Sequence, residues 1–263
     1  MTTDDFKKRY GPVALVTGAS SGIGQSLSEK LAAIGLNLVL VARRVERLNT
    51  LAVKLQSQHG IDVKVCQIDL ADADAARRMA AATASDDVGL LVSNAGFGLK
   101  GDHAANDPKT MAEMLMVNCN TPMQLASEFI PRLRMRGRGG IILTGSVEGL
   151  IGCPYSAVYS ASKAFVKSLG EGLWGELAPD GIDVLVICPG ATDTEALARS
   201  GIDRATLSNV MSPDDVATLA LEHIPDGPML ITSEHYGTLF ERLLSMPRRD
   251  ALTVMAKSMR AQE

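Results

Sequence analysis

The stretch Val13-Ala14-Leu15-Val16-Thr17-Gly18-Ala19-Ser20-Ser21-Gly22-Ile23-Gly24 runs a short apolar segment into a glycine-rich turn, and Leu27, Leu31 and Ile34 follow at helical spacing. A continuous apolar run of this kind reads as a strand buried on both faces, as in a parallel sheet covered by helices. Parallel strands need long, usually helical crossovers, so strand, turn and helix here open a βαβ unit. Gly18 permits the tight turn, Gly22 lets backbone N–H groups approach a pyrophosphate, and Gly24 lets the helix pack close on the strand. The helix N-terminus then faces the anion. The spacing is G-x-x-x-G-x-G, which differs from G-x-G-x-x-G.

Outward from this turn, Leu38–Val41, Val63–Gln67, Leu90–Ser93, Ile141–Thr144, Val184–Cys188 and Met229–Thr232 repeat the apolar run, with helical patterns between them. Seven such strands predict an α/β fold. The expected form is a Rossmann-like, doubly wound, seven-stranded, mostly parallel sheet with helices on both faces. No repeat, linker or composition break interrupts the pattern, so a single domain is expected over residues 1–263, with its core at about residues 11–232. Residues 234–263 differ: Tyr236, Leu239, Leu243 and Leu244, then Leu252, Val254, Met255 and Met259, fit two short amphipathic helices. This extension could cover a subunit interface, lie on a membrane surface or pack on its own core.

Lys+Arg number 26 against Asp+Glu 30, a formal charge of −4, so there is no basic field for a nucleic-acid partner. Cys66, Cys119, Cys153 and Cys188 form no C-x-x-C pair, and His59, His103, His223 and His235 are scattered. No metal site is expected, and four reduced thiols fit a cytoplasmic protein. Met1 to Tyr10 carries Asp4, Asp5, Lys7, Lys8 and Arg9 without the apolar centre of a signal peptide. No apolar run approaches the ~20 residues of a membrane span, and membrane contact is not favoured.

At the end of the second strand, where a carboxylate would meet the ribose hydroxyls of NAD(H), the chain has Ala42, Arg43 and Arg44. A carboxylate repels a 2′-phosphate, whereas a guanidinium binds it through paired hydrogen bonds. NADP(H) is therefore the expected cofactor, ahead of NAD(H).

Tyr159 and Lys163 stand four apart in Tyr155–Ala178, where Phe165, Val166, Leu169, Leu173 and Leu177 keep helical spacing. One helix face carries both. A tyrosine of pKa near 10 needs a shift of roughly 2–3 units to act near neutral pH. A lysine ammonium about 4 Å away supplies on the order of 4 kcal/mol, against which burial of the phenolate works. Ser146 follows Ile141–Thr144, at the strand end where open α/β sheets hold ligands.

These motifs, together with Asn94-Ala95-Gly96, Asn118 and Pro189-Gly190-Ala191-Thr192-Asp193-Thr194, stand in an order that resembles the short-chain dehydrogenase/reductase family over roughly residues 11 to 232. The resemblance implies that Tyr159 is the general acid/base and that Lys163 lowers its pKa while holding the nicotinamide ribose. It implies that Ser146 hydrogen-bonds the substrate oxygen and that Asn118 holds a water linking Lys163 to solvent. Cofactor contacts are implied from Gly18, Ser20, Ser21, Gly22, Ile23 and Gly24, and from Arg43 and Arg44. Asp69 and Leu70 would meet the adenine, Asn94, Ala95 and Gly96 the cofactor along the sheet edge, and Pro189, Gly190, Thr192 and Thr194 the carboxamide. The implied reaction is metal-free hydride transfer between NADP(H) and a carbonyl carbon, interconverting a carbonyl and a secondary alcohol. Ketoacyl, steroid-like and small ketone or hydroxy substrates all stay open. The alternative is a non-catalytic NADP(H)-binding regulatory protein, which would have no use for a tyrosine held beside a lysine.

Family members commonly pair the helix that carries the tyrosine, which implies a homodimer or homotetramer. Ala157, Ala161, Ala164, Gly170, Gly172 and Gly175 would permit close helix approach. Substrate contacts are expected from Phe97–Leu99, Val147–Tyr155 and the loop between Asp193 and Met211. In that loop Ala196, Leu197, Leu207, Val210 and Met211 suggest an apolar lid. Two positions depart from the family pattern. Ser93 replaces a frequent Asn, a mild change. Glu148 stands where a small residue is usual, and is expected either to favour a cationic or hydroxyl-bearing substrate or to be solvated or in contact with a subunit.

Overall fold

A computed structural model describes residues 1–199, 207 and 209–260. Its centre is a seven-stranded sheet in the order β3-β2-β1-β4-β5-β6-β7. The strands are β1 (Val13–Thr17), β2 (Asn37–Ala42), β3 (Val63–Gln67), β4 (Val88–Ser93), β5 (Gly139–Thr144), β6 (Ile182–Cys188) and β7 (Met229–Ile231). Every pairing is parallel, so "mostly parallel" becomes wholly parallel.

Eleven α-helices are present among the described residues: α1 (Thr3–Tyr10), α2 (Gly22–Ile34), α3 (Val45–His59), α4 (Ala75–Ala82), α5 (Pro108–Leu115), α6 (Thr121–Arg136), α7 (Ala157–Leu177), α8 (Glu195–Arg199), α9 (Pro213–Glu222), α10 (Glu234–Ser245) and α11 (Arg248–Arg260). Alternate side chains of each strand point to opposite faces. Ala14, Val16, Leu38 and Leu40 pack with Leu27 and Leu31 of α2, Leu48 and Leu55 of α3 and Val216 of α9. Leu15, Val39 and Val41 pack on the other face with Met79 of α4, Phe129 and Leu133 of α6 and Val166 and Leu177 of α7. Two apolar layers enclose the central strands, which explains their unbroken apolar runs, whereas the edge strand β3 exposes Lys64 and Gln67.

Two features depart from the sequence reading, and a third selects among the alternatives it left open. The charged N-terminal segment forms α1, whose Phe6 and Tyr10 are buried, and the Tyr10 hydroxyl donates to Asp183 Oδ2 at 2.6 Å. Two apolar residues four apart suffice because one helix face covers the edge of the core. Gly170, expected on a subunit-facing surface, lies against the chain's own β6: an added Cβ would stand 2.1 Å from Val186 Cγ2. The extension packs on its own chain, where Phe240, Leu243, Ala251 and Met255 form a third apolar cluster with Val147, Ile151 and Cys153. Among the described residues no helix is long and apolar enough to cross a membrane.

Candidate active site

From β1 the chain proceeds to β2 and β3 on one side, and from β4 to β7 on the other. The loops leaving the C-terminal ends of β1 and β4 therefore part, and ligands of open α/β sheets sit in such a crevice. A cavity of about 550 Å³ occupies it. Of the catalytic and cofactor residues expected from the sequence, all line this cavity except Gly24 and Asn118; of the expected substrate contacts, Phe97, Gly98, Val147, Glu148, Cys153, Ala196, Leu197 and Leu207 line it, whereas Leu99, Tyr155, Val210 and Met211 do not.

Gly18 and Gly22 adopt left-handed backbone, with φ of +69° and +57°, a region that other residues enter at a cost. A Cβ on Gly24 would stand 2.4 Å from the Gly18 carbonyl oxygen and 2.5 Å from Asn94 Nδ2, so only glycine brings α2 this close to β1. Asn94 and Ala95 donate their backbone N–H groups to Thr17 Oγ1 at 3.0 and 3.1 Å, tying the end of β4 to β1. No side chain caps the N-terminus of α2 at Ser21, which leaves its first N–H groups to a ligand.

Arg44 donates to Ser20 Oγ at 2.9 Å, to Ser21 Oγ at 2.6 Å and to Glu195 Oε2 at 2.5 Å. Arg43 is looser, 3.7 Å from Asp69 and 3.6 Å from Glu113. Arg47 and Arg44 together hold the Glu195 carboxyl far below its ordinary range, at about 2. Part of the expected lid, residues 200–206 and 208, lies outside the described residues; Thr192 bridges to Met211 within it.

Ser146, Tyr159 and Lys163 meet at the floor of the cavity. Ser146 Oγ accepts the Glu148 N–H at 3.2 Å, which leaves its own hydrogen for the phenol or a substrate oxygen. Lys163 is 4% exposed, and its ammonium donates to the Thr144 carbonyl oxygen at 2.8 Å. Burial lowers its pKa to about 8. The Tyr159 phenol is held well above its ordinary pKa, first by burial and next by the Glu148 carboxylate, while the Ser146 hydroxyl opposes the rise. Acidification of Tyr159 by Lys163 is therefore not found in this geometry. The ammonium lies 5.7 Å from the ring centroid, and loss of solvent outweighs its field.

Asn118 sits in a π-helical turn, Met116–Asn120, between α5 and α6, a local form frequent at functional sites. Its side chain donates to the Phe97 carbonyl oxygen at 2.9 Å and to Ser162 Oγ at 3.0 Å, and accepts the Phe97 N–H at 3.1 Å. Both amide donors are thus used within the protein, so any water held by this side chain must donate to it.

The far end of the cavity belongs to residues that were not expected there: Tyr236, Leu239, Phe240 and Leu243 of α10, and Val254 and Met255 of α11. Tyr236 lies flat against Gly190, where a Cβ would stand 2.1 Å from its ring. The amphipathic spacing was visible, but its docking site was not. Glu148 is partly exposed and paired: it accepts from Lys100 Nζ at 2.5 and 2.6 Å.

These residues fit a nicotinamide dinucleotide. The glycine turn offers backbone donors where a Cβ would intrude, Arg44 and two serines offer a phosphate clamp, and the buried Lys163 ammonium keeps donors for ribose hydroxyls. A family model described as short chain dehydrogenase matches residues 12–205. The chain is 30% identical to a 7beta-hydroxysteroid dehydrogenase of Clostridium sardiniense over 96% of its own length and 97% of the relative's. It is 34% identical to a very-long-chain 3-oxoacyl-CoA reductase of Meyerozyma guilliermondii, covering 89% of this chain and 70% of that one. A solved short-chain dehydrogenase from Sphingobium yanoikuyae in complex with NADPH superposes with a TM-score of 0.82 at 34% identity, covering 93% and 95% of the two chains. Solved relatives hold NADPH or NAD. The glycine turn, the tyrosine–lysine helix and the wholly parallel sheet thus agree with these likenesses, and the chain belongs to the short-chain dehydrogenases/reductases, a family of oxidoreductases.

Proposed function

We propose that the protein interconverts an apolar, bulky ketone and its secondary alcohol with NADP(H). Tyr159 exchanges the proton with the substrate oxygen, Ser146 donates a hydrogen bond to that oxygen, and Lys163 holds the cofactor ribose. The bound nicotinamide supplies or accepts the hydride.

One observation carries this reading: the Ser146–Tyr159–Lys163 cluster lines the same cavity as the glycine turn and Arg44 and as apolar side chains of α10 and α11. A donor fixed before the reaction stabilises charge on oxygen at no reorganisation cost. The Arg44 clamp with Ser20 and Ser21 supports a 2′-phosphate and hence NADP(H) over NAD(H). The apolar far wall supports hydrophobic ketones among the steroid-like, ketoacyl and small candidates. The non-catalytic regulator finds no support in this site. Exposed Phe165 and Trp174 on α7 support self-association as a homodimer or homotetramer.

The test is NADPH consumption against a panel of steroid-like ketones, ketoacyl thioesters and small ketones, with Tyr159→Phe as control. Turnover of bulky apolar ketones that the variant lacks is expected. Equal turnover by the variant, or none with any member, would overturn the reading.

A further inference from the structure

The wall of the cavity opposite the glycine turn contains an ion pair that the proposed chemistry does not use. Lys100, on the loop after β4, donates to both Glu148 oxygens at 2.5 and 2.6 Å and to Ser156 Oγ at 3.1 Å. Ser156 in turn donates to Glu148 Oε2 at 2.6 Å. The side chains of Lys100 and Glu148 are 16% and 24% exposed. The Lys100 ammonium stands 5.5 Å from the Tyr159 ring centroid, and a Cβ on Gly98 would touch that ring at 3.3 Å. The Gly101 N–H donates to the Tyr155 carbonyl oxygen at 2.9 Å, so the same loop is tied again to the segment entering α7. Tyr155 itself adopts φ of +59°, a conformation rare outside glycine and typical of sites where the surroundings over-determine the backbone.

Apolar side chains would close this wall as well, and a partly buried ion pair contributes little to stability compared with apolar packing. Its distinctive effect is electrostatic. Two ammonium groups stand at similar distances from the Tyr159 ring centroid, Lys163 at 5.7 Å and Lys100 at 5.5 Å, and among the described residues only Lys100 has a carboxylate partner. The other titratable groups facing Tyr159 are Cys153 on the loop before α7 and Cys188 at the end of β6, whose thiols burial pushes up to about 12. Tyr236 of α10, raised by burial, is also neutral there. Near neutral pH the charge around the phenol is therefore set by Lys163, Lys100 and Glu148.

We propose that Lys100 and Glu148 are positioning residues for Tyr159: their ion pair holds the loop after β4 over the phenol and balances the charge at its hydroxyl. This rests on Tyr159 being the acid/base of the proposed reaction. Removing one member leaves the other unpaired beside the ring, so the two single changes act with opposite sign.

The test is the pH profile of kcat/KM for oxidation of a secondary alcohol by wild type, Lys100→Met, Glu148→Gln, the double variant and Lys100→Arg. Lys100→Met leaves a carboxylate and should move the acidic limb, below which Tyr159 is protonated and cannot accept the alcohol proton, up by on the order of one pH unit; Glu148→Gln leaves an ammonium and should move it down by a similar amount. The double variant and Lys100→Arg should return near the wild-type profile. If both single variants move the limb the same way, or lose activity evenly at all pH, the pair is a structural clamp alone and the proposal is overturned. As a readout independent of turnover, Tyr159 replaced by a difluorotyrosine and titrated by fluorine NMR should show the same opposed shifts. Should wild type oxidise no alcohol, the proposed function fails while this titration still decides the role of the pair.

Discussion

Arg44 and Glu195 are 151 residues apart in the chain and meet at 2.5 Å across the dinucleotide end of the cavity. The carboxylate occupies the guanidinium that a 2′-phosphate would use under the proposed NADP(H) reading, so phosphate and carboxylate would compete for Arg44. Arg44→Ala should weaken NADPH binding on the order of tenfold to a hundredfold, since hydrogen bonds to charged groups are among the stronger ones. NADH binding should change little. Glu195→Gln should tighten NADPH roughly two- to fivefold, the scale of an exposed ion pair. Arg43→Ala, with its longer contacts, should weaken NADPH less than Arg44→Ala. Fluorescence titration with both cofactors checks all three, and equal losses for NADPH and NADH would remove the 2′-phosphate assignment.

Ser146→Ala removes the donor that Glu148 N–H leaves free for the substrate oxygen. Turnover should fall by about 10²–10³, with cofactor affinity unchanged. Tyr159→Phe should be slower still. Single-turnover kinetics at saturating NADPH separate the chemical step from binding, and a Phe variant with near-normal rates would exclude Tyr159 as the proton donor.

Lys163 is buried with its pKa lowered from 10.5 to about 8. Between those two values the unfolded chain binds more protons than the folded one, so stability rises with pH in this window. Below about 8 the folded protein carries the full burden of a buried ammonium. Lys163→Met should therefore raise Tm at pH 7 while abolishing activity, and the gain should fade as pH approaches 10.5. A Tm difference between variant and wild type that does not change with pH would refute this account.

Tyr10 is fully buried, and its hydroxyl and the Arg9 guanidinium share the Asp183 carboxylate. Tyr10→Phe should cost about 1–2 kcal/mol by removing one hydrogen bond to a charged group. Tyr10→Ala should cost about 3–5 kcal/mol by opening a cavity. Urea unfolding measures both; a Tyr10→Ala loss under about 1 kcal/mol would show that α1 is dispensable to the core.

Ending the chain at Met246 removes α11, whose Val254 and Met255 wall the far end of the cavity. The KM for a bulky apolar ketone should rise by about tenfold or more, as expected when several buried apolar contacts are lost. NADPH affinity should hold within about twofold, because the dinucleotide end is built from β1, β2 and their loops. A parallel loss of both affinities would place the effect in folding instead of the substrate wall.

The sequence by itself determined what depends on local pattern. Unbroken apolar runs require two buried faces, so Val13–Thr17 and its counterparts announced a covered parallel sheet. The G-x-x-x-G-x-G spacing announced the turn after β1, and an i, i+4 pair announced that Tyr159 and Lys163 share a helix face. Only the tertiary structure decided what depends on distant segments meeting. It placed Asp183 under Tyr10, Glu195 on Arg44, Lys100 on Glu148 and Tyr236 on Gly190. It also reversed the sign expected at Tyr159, because the loss of water around a phenol depends on every element packed against it, while the spacing to a lysine is local. Periodicity is a property of neighbours in sequence; desolvation and pairing are properties of neighbours in space.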